Sequence, residues 1–241
     1  MAMPKSTPAS VARTIRGELK AGADLERSKS VQRFFKEEVR SYGWRLGDVR
    51  RATVRWRPEI LKQFNLEFLV QVADKLFMGE INEEKHAAVF LLQNIAAKLG
   101  DDKFVLLESW LVRVSTWADH DALVHYLIAP MVAAKPIRAK SVFRWAKSQN
   151  RWHRRAACVA LIQGTRQRLF FPEITELSHQ LLSDQDDMVQ KGLGWLLRET
   201  AKAAPARTIP YLMRIRTRAL RLVLRTACET LPPAMKNRIL A

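Results

Sequence analysis

The sequence predicts an all-α chain, and three observations carry that expectation. Glycine and proline are sparse, nine and ten among 241 residues, so few points force the backbone out of a helix. The alternation of apolar and polar β-branched residues that marks a half-buried strand is nearly absent. Ala, Leu, Arg, Lys and Glu dominate, and these residues give up least on entering a helix. Hydrophobic residues make up 48% of the chain. That is enough for a sizeable core and sets aside disorder in bulk.

Taken in order, residues 1–9, with Pro4 and Pro8, read as a disordered tail. Ser10–Lys20 reads as a first amphipathic helix with Ser10 as N-cap. Glu26–Tyr42 is a second, ended by Gly43, and Arg45–Trp56 a third, stopped by Pro58. A short turn of helix follows over Pro58–Phe64, then Leu66–Phe77, ended by Gly79. Asn82–Leu99 has the clearest signals. An Asn cap is followed by Glu83 and Glu84, which suit the positive helix N-terminus, and Gly100 stops it. Asp101 caps the next helix, which runs to about Val114, and Asp119–Ala129 is interrupted by Pro130. Lys135-Pro136 opens a helix to about Lys147. Ser148-Gln-Asn150 breaks the chain before Arg151–Ile162. Phe171–Leu182 comes next, then a cap-rich turn, Ser183–Asp187, then Met188–Ala203. Pro205, Pro210 and Pro232-Pro233 divide the last three helices. The count is roughly a dozen helices of about three turns, joined by short connections. Helix pairs recur at roughly forty residues with faint self-similarity, the spacing of HEAT-like antiparallel pairs stacked into a curved solenoid. A compact helical bundle is the alternative. A single domain is expected over 10–241.

Charge narrows the partner. Net charge is +17 and the sequence pI about 10.5, which favours a polyanion: nucleic acid first, an anionic membrane surface second. No apolar run approaches a spanning helix, and the N-terminus has no apolar signal core, so the expected location is the bacterial cytoplasm, at the nucleoid. From Ala122 to Pro172 there is no Asp or Glu. The same span holds Lys135, Arg138, Lys140, Arg144, Lys147, Arg151, Arg154, Arg155, Arg166 and Arg168. A second basic run lies between Arg207 and Arg238, a third between Arg33 and Arg57. Charge at both ends and in the middle fits a basic concave face that follows a duplex backbone. A solvated basic surface with no partner is the bland alternative.

Motifs exclude more than they assign. Cys158 and Cys228 are too few for a disulfide framework or a zinc cluster, and read as two reduced, buried thiols. The five histidines show no metal-ligand spacing. No Gly-rich phosphate loop or Gly-x-Ser-x-Gly elbow occurs. No cofactor or metal is therefore expected. Trp117 and Asp121 are four residues apart, so an aromatic face and a carboxylate can share one side of a helix. Asp119 is the better N-cap and Asp121 the freer carboxylate, although both could simply complement the helix dipole. Trp152 and Arg155 share a face at spacing three, with Trp152 packing inside. Trp195 follows Gly192-x-Gly194, a pair that lets helices come close.

The ordered set Trp117-x-x-x-Asp121, Asn150-x-Trp152-x-x-Arg155-Ala-Ala and Gly194-Trp195-x-Leu-Arg198-Glu199 resembles the AlkD family of alkylpurine DNA glycosylases. Phe34-Phe35-Lys36…Tyr42-Gly43 looks like that family's first aromatic–basic helix, and the likeness covers roughly residues 25–215. The resemblance implies a HEAT-like-repeat solenoid that cradles duplex DNA and removes N3- and N7-alkylated purines such as 3-methyladenine and 7-methylguanine. It implies that Asp121 is the catalytic carboxylate and that Trp117 and Trp195 line the cleft. Arg155 becomes a phosphate contact, with Phe34, Lys36, Arg151, Arg154 and Arg198 as further DNA contacts. Two positions depart from the family. Phe34 stands where a tyrosine is common, removing a hydroxyl, and Gln163 where a lysine is common, removing a DNA contact. The expected partner is alkylated double-stranded DNA, with no membrane and no obligate protein partner, and a monomer suffices. The alternative is a non-catalytic repeat protein that grips damaged, bent or branched DNA.

Overall fold

The computed structural model describes residues 7–241, and the part of the expected tail before Thr7 lies outside them. The described chain is all-helical. Its only β pairing is an isolated bridge between Arg40 and Ile81. In chain order the helices are α1 (Pro8–Ala21), α2 (Leu25–Val31), α3 (Leu46–Val54), α4 (Trp56–Gln63), α5 (Leu66–Phe77) and α6 (Asn82–Leu92). Then come α7 (Asp101–Ser109), α8 (Trp117–Leu123), α9 (Ala129–Ala134), α10 (Ala139–Ala146), α11 (Arg151–Val159) and α12 (Ile162–Thr165). The last are α13 (Phe171–Leu181), α14 (Asp187–Ala203), α15 (Pro205–Ile215), α16 (Arg221–Ala227) and α17 (Pro233–Leu240). Short 3₁₀ turns cover Gln32–Phe34 and Gln93–Lys98, and a π turn, Val124–Ile128, continues α8.

Several boundaries differ from the sequence expectation, each for a local reason. The first helix begins at Pro8, not Ser10. Thr7 is the cap, and Ser10 closes a capping box from the third helical position. The second helix stops at Val31 where Tyr42 was expected, because residues 41–44 are held by a carboxylate from elsewhere in the chain. Pro58 does not stop a helix. It sits in the first turn of α4, where a missing N–H costs nothing. Pro210 lies inside α15 and does not divide it. Asn82 and Asp101 are first helical residues, with Ile81 and Gly100 in the cap positions.

The helices form two compact units. The first comprises residues up to Ala96 together with Val112–Leu127. Its centre is α6, against which α1, α3, α5 and α8 pack. This helix is buried from Glu83 to Leu92. That is natural for Ala87–Leu92 and demanding for the Glu-Glu-Lys-His head, since buried charge must be paired. Each polar residue of the head reaches a different element. Glu83 accepts hydrogen bonds from the Tyr42, Gly43 and Trp44 amides at 2.9, 3.0 and 3.1 Å and from Ser41 Oγ at 2.6 Å. Gly43 lies at φ +85°, and a Cβ there would stand 2.2 Å from the Asp24 carbonyl oxygen, so only glycine closes this turn. Glu84 accepts from Arg16 Nε of α1 at 2.7 Å and from Tyr42 Oη at 2.8 Å. Burial and that carboxylate push the Tyr42 phenol up to about 12.

The second unit comprises Ala97–Leu111 and Ile128–Ala241. Its centre is α14, flanked by α11, α13, α15 and α16. Gly194 permits a close approach of α14 to α16: a Cβ there would lie 2.5 Å from Thr226 Cβ. Cys158 and Cys228 are free and buried.

Candidate functional site

The site is built outward from the third residue of the buried head. Lys85 Nζ donates to Asp119 Oδ2 at 2.7 Å, to the Arg113 carbonyl at 2.6 Å and to Ser115 Oγ at 3.0 Å. Both charged side chains are nearly sealed from solvent, 4% and 1% exposed. Asp119 in turn sets the start of α8. Its Oδ1 accepts from the Thr116 amide and hydroxyl, both at 2.7 Å, while the Thr116 hydroxyl faces the Asp119 amide in a capping box. Thr116 is therefore the N-cap, and Asp119, expected there, sits at the third helical position. Burial alone would push the Asp119 carboxyl up. The Lys85 charge, with hydrogen bonds from Lys85, Ser115 and Thr116, holds it below the usual carboxylate range. The last residue of the head, His86, is kept neutral by burial, and its Nε2 lies 3.3 Å from the Ala118 carbonyl.

This lock fixes Trp117, the first residue of α8. The indole is 37% exposed. One face stacks on Phe35, with ring centroids 5.0 Å apart and planes inclined by 17°. Its Nε1 donates to the Phe34 carbonyl at 3.4 Å. Phe34 is 62% exposed, with the Arg33 guanidinium 5.0 Å from its ring centre, and Lys36 is exposed beside it. Asp121 follows Trp117 by one turn, on the same face of α8. It is part-exposed, and its Oδ1 meets Nδ1 of the wholly buried His120 at 2.7 Å.

Chemically, an exposed indole beside a carboxylate attracts a cation. The carboxylate can also orient a water and stabilise positive charge that develops nearby. A cavity of about 410 Å³ opens behind the cap, between Arg40, Glu80, Asn82, Lys85 and Thr116. Neither Trp117 nor Asp121 lines it.

Phe34, Lys36, Trp117 and Asp121 thus belong to the first unit; Arg151, Arg154, Arg155, Trp195 and Arg198 belong to the second. There the expected arginine contacts are paired within the protein, and Arg151, Arg154 and Arg198 stay part-exposed. Arg155 is buried, and its Nη1 donates to the Met188 carbonyl of α14 at 2.6 Å. A Cβ on Gly192 would lie 3.1 Å from Arg155 Cγ, so the missing side chain makes room for this clasp. Arg154 binds Asp184 at 2.6 Å and the Ser148 and Gln149 carbonyls at 2.9 Å each. Arg151 lies over the buried Trp152 and reaches Asp186 at 3.4 Å. Arg198 pairs with Glu199 and Glu229. Trp195 is half-buried on α14.

The acid-free tract is not acid-free in space. Lys135 and Arg138 pair with Asp101, and Arg144 with Glu108. Lys140, Lys147, Arg166 and Arg168 are the tract's remaining cations, and all four are exposed. Among the described residues no group of three or more acidic, histidine or cysteine side chains could hold a metal. No described helix is long and apolar enough to cross a membrane.

Sequence reasoning missed Lys85, His120 and Phe35 as parts of the site. The signal for the first was present. A helix apolar on every side after Ala87 is a buried helix, so its polar head must be buried and partnered as well.

Comparison with known proteins adds the family. Residues 15–231 match the family model described as DNA alkylation repair enzyme. A solved structure of a predicted DNA alkylation repair enzyme from Enterococcus faecalis superposes with a TM-score of 0.77 at 16% identity, covering 88% of this chain and 97% of that one. At that identity the likeness speaks for the fold. No curated protein matches the sequence.

Proposed function

The chain belongs to the DNA alkylation repair enzyme family, and on that footing we propose that it is a monofunctional DNA glycosylase acting on cationic N3- and N7-alkylated purines in duplex DNA. The observation that carries the reading is the pairing on α8 of a part-exposed indole, backed by Phe35, with a part-exposed carboxylate one turn on. Alkylation at N3 or N7 makes the purine a cation and hence a good leaving group. The C1′–N bond then breaks without a strong general acid, its electron pair neutralising the departing base. The sugar left behind resembles an oxocarbenium ion. Asp121 stabilises that charge and takes a proton from the water that attacks C1′. The Trp117 face holds the cationic sugar, an interaction of about 0.5–2 kcal/mol. The products are a free base and an abasic deoxyribose.

The exposed cations of the acid-free tract and of the C-terminal run supply the affinity for duplex phosphates, which makes binding salt-dependent. Through the resemblance, Trp195 enters this reading as an aromatic group for the substrate and Arg155 as a phosphate contact. The test is release of 7-methylguanine and 3-methyladenine from methylated duplex DNA by the wild type and by Asp121→Asn. An active wild type with a nearly dead variant supports the assignment, and wild-type turnover in Asp121→Asn removes it. Salt-dependent duplex binding with no base released from any alkylated duplex selects a non-catalytic DNA-binding protein instead.

A further inference from the structure

Resting on the role proposed for Asp121, we infer that His120 is a positioning residue that holds the Asp121 carboxylate in its working orientation. Adjacent residues on a helix point about 100° apart and do not normally face each other. Here they meet: His120 Nδ1 and Asp121 Oδ1 are 2.7 Å apart. The imidazole is 0% exposed and Asp121 23%, so the contact ties a part-exposed carboxylate to a group fixed in the interior. The backbone beneath is equally fixed. The His120 amide donates to the Thr116 carbonyl and to Asp119 Oδ1, each at 3.1 Å, within the capped first turn that Lys85 locks.

An ionised carboxylate can only accept, so the bond requires the proton on Nδ1. The geometry thus sets which ring nitrogen faces the acid. The consequence for the reaction is preorganisation. One oxygen of the acid is committed to a fixed donor, so the carboxylate need not reorient as charge develops at the sugar. A histidine that merely satisfies its own hydrogen bond in a core would make the same contact, and the two roles separate in kinetics.

The experiment compares His120→Leu, which removes the donor, with His120→Asn, whose amide nitrogen takes the place of Nδ1. On methylated duplex DNA, His120→Leu is expected to lose about 10- to 100-fold in kcat with KM little changed, and His120→Asn to recover most of the loss. Wild-type kcat in His120→Leu overturns the inference, as does a His120→Asn variant no better than His120→Leu. A wild type that releases no base fails the glycosylase reading first and takes the positioning role with it. An active wild type with an indifferent His120→Leu fails the positioning role alone. Should the leucine variant not fold, nitrogen–proton correlation spectra of the wild-type imidazole decide. A protonated Nδ1 whose signal moves in Asp121→Ala supports the inference, and an Nε2–H tautomer overturns it.

Discussion

Replacing Lys85 with methionine should destabilise the first unit by about 3 kcal/mol, the lower end of the roughly 3–5 kcal/mol lost when one partner of a buried ion pair is removed. Methionine keeps most of the stem and discards the ammonium. The variant then leaves the Asp119 carboxylate, 1% exposed, without its counter-charge. The Arg113 carbonyl and Ser115 hydroxyl each lose a donor as well. The lower figure applies because Asp119 keeps five other bonds, from Ser115, Thr116 and the His120 amide. For a chain of this size about 3 kcal/mol lowers Tm by about 6–12 °C. Urea unfolding followed by circular dichroism would read the loss as a lower midpoint at constant m. The double variant Lys85→Met/Asp119→Leu removes both charges, so its loss should fall short of the sum of the single losses by about 1 kcal/mol or more. A Lys85→Met midpoint within about 1 kcal/mol of wild type, or strict additivity, would refute the claim that this pair locks the site.

Other expectations follow from the same geometry. Asp119 titrates lower folded than unfolded, so its contribution is fully present above the ordinary carboxylate value of about 4 and is lost as pH falls below it. The wild-type urea midpoint should therefore drop on acidification below about pH 4, and by less in Asp119→Asn; equal drops would contradict it. Phe35→Ala removes the support of the Trp117 ring, and an aromatic pair worth about 0.5–1.5 kcal/mol predicts a loss of about 2- to 12-fold in kcat/KM for base release. Gly194→Ala drives a methyl to 2.5 Å from Thr226 Cβ, and overpacking of that kind costs about 1–3 kcal/mol. An unchanged urea midpoint would mean that α14 and α16 do not come this close.

The helical class was legible because it rests on local chemistry: sparse breakers, good helix formers and caps such as Asn65, Asn150 and Asp186. Expectations failed where a distant group overrode the local one. Residues 32–44 carry a helical pattern, yet the Glu83 carboxylate claims the backbone amides at its end, and nothing within the segment announces that. The Trp117–Asp121 spacing was readable, because a helix face depends on spacing alone. The division of labour between Asp119 and Asp121 was only half readable. Exposure follows from spacing, but the partner of Asp119 lies 34 residues away. The arginine surface was harder to read for a related reason. A run without acids in sequence draws its acids from Asp101, Glu108, Asp184 and Asp186, so charge per segment overstated charge per surface.

The interleaving of the two units along the chain bears on how the protein is made. Residues 97–111 belong with the later chain, and the chain then returns to complete the first unit with α8. During synthesis Lys85 is polymerised 34 residues before Asp119. At about 5–20 residues per second that is a wait of about 2–7 seconds. Throughout it the ammonium lacks the Asp119 carboxylate and α6 lacks the flank that α8 supplies. The order of events is thus written into the chain: the first unit cannot be completed until Thr116–Leu123 is made. A fragment cut at Ala96 would stay in that unfinished state, with Lys85 made and Asp119 never joined to it.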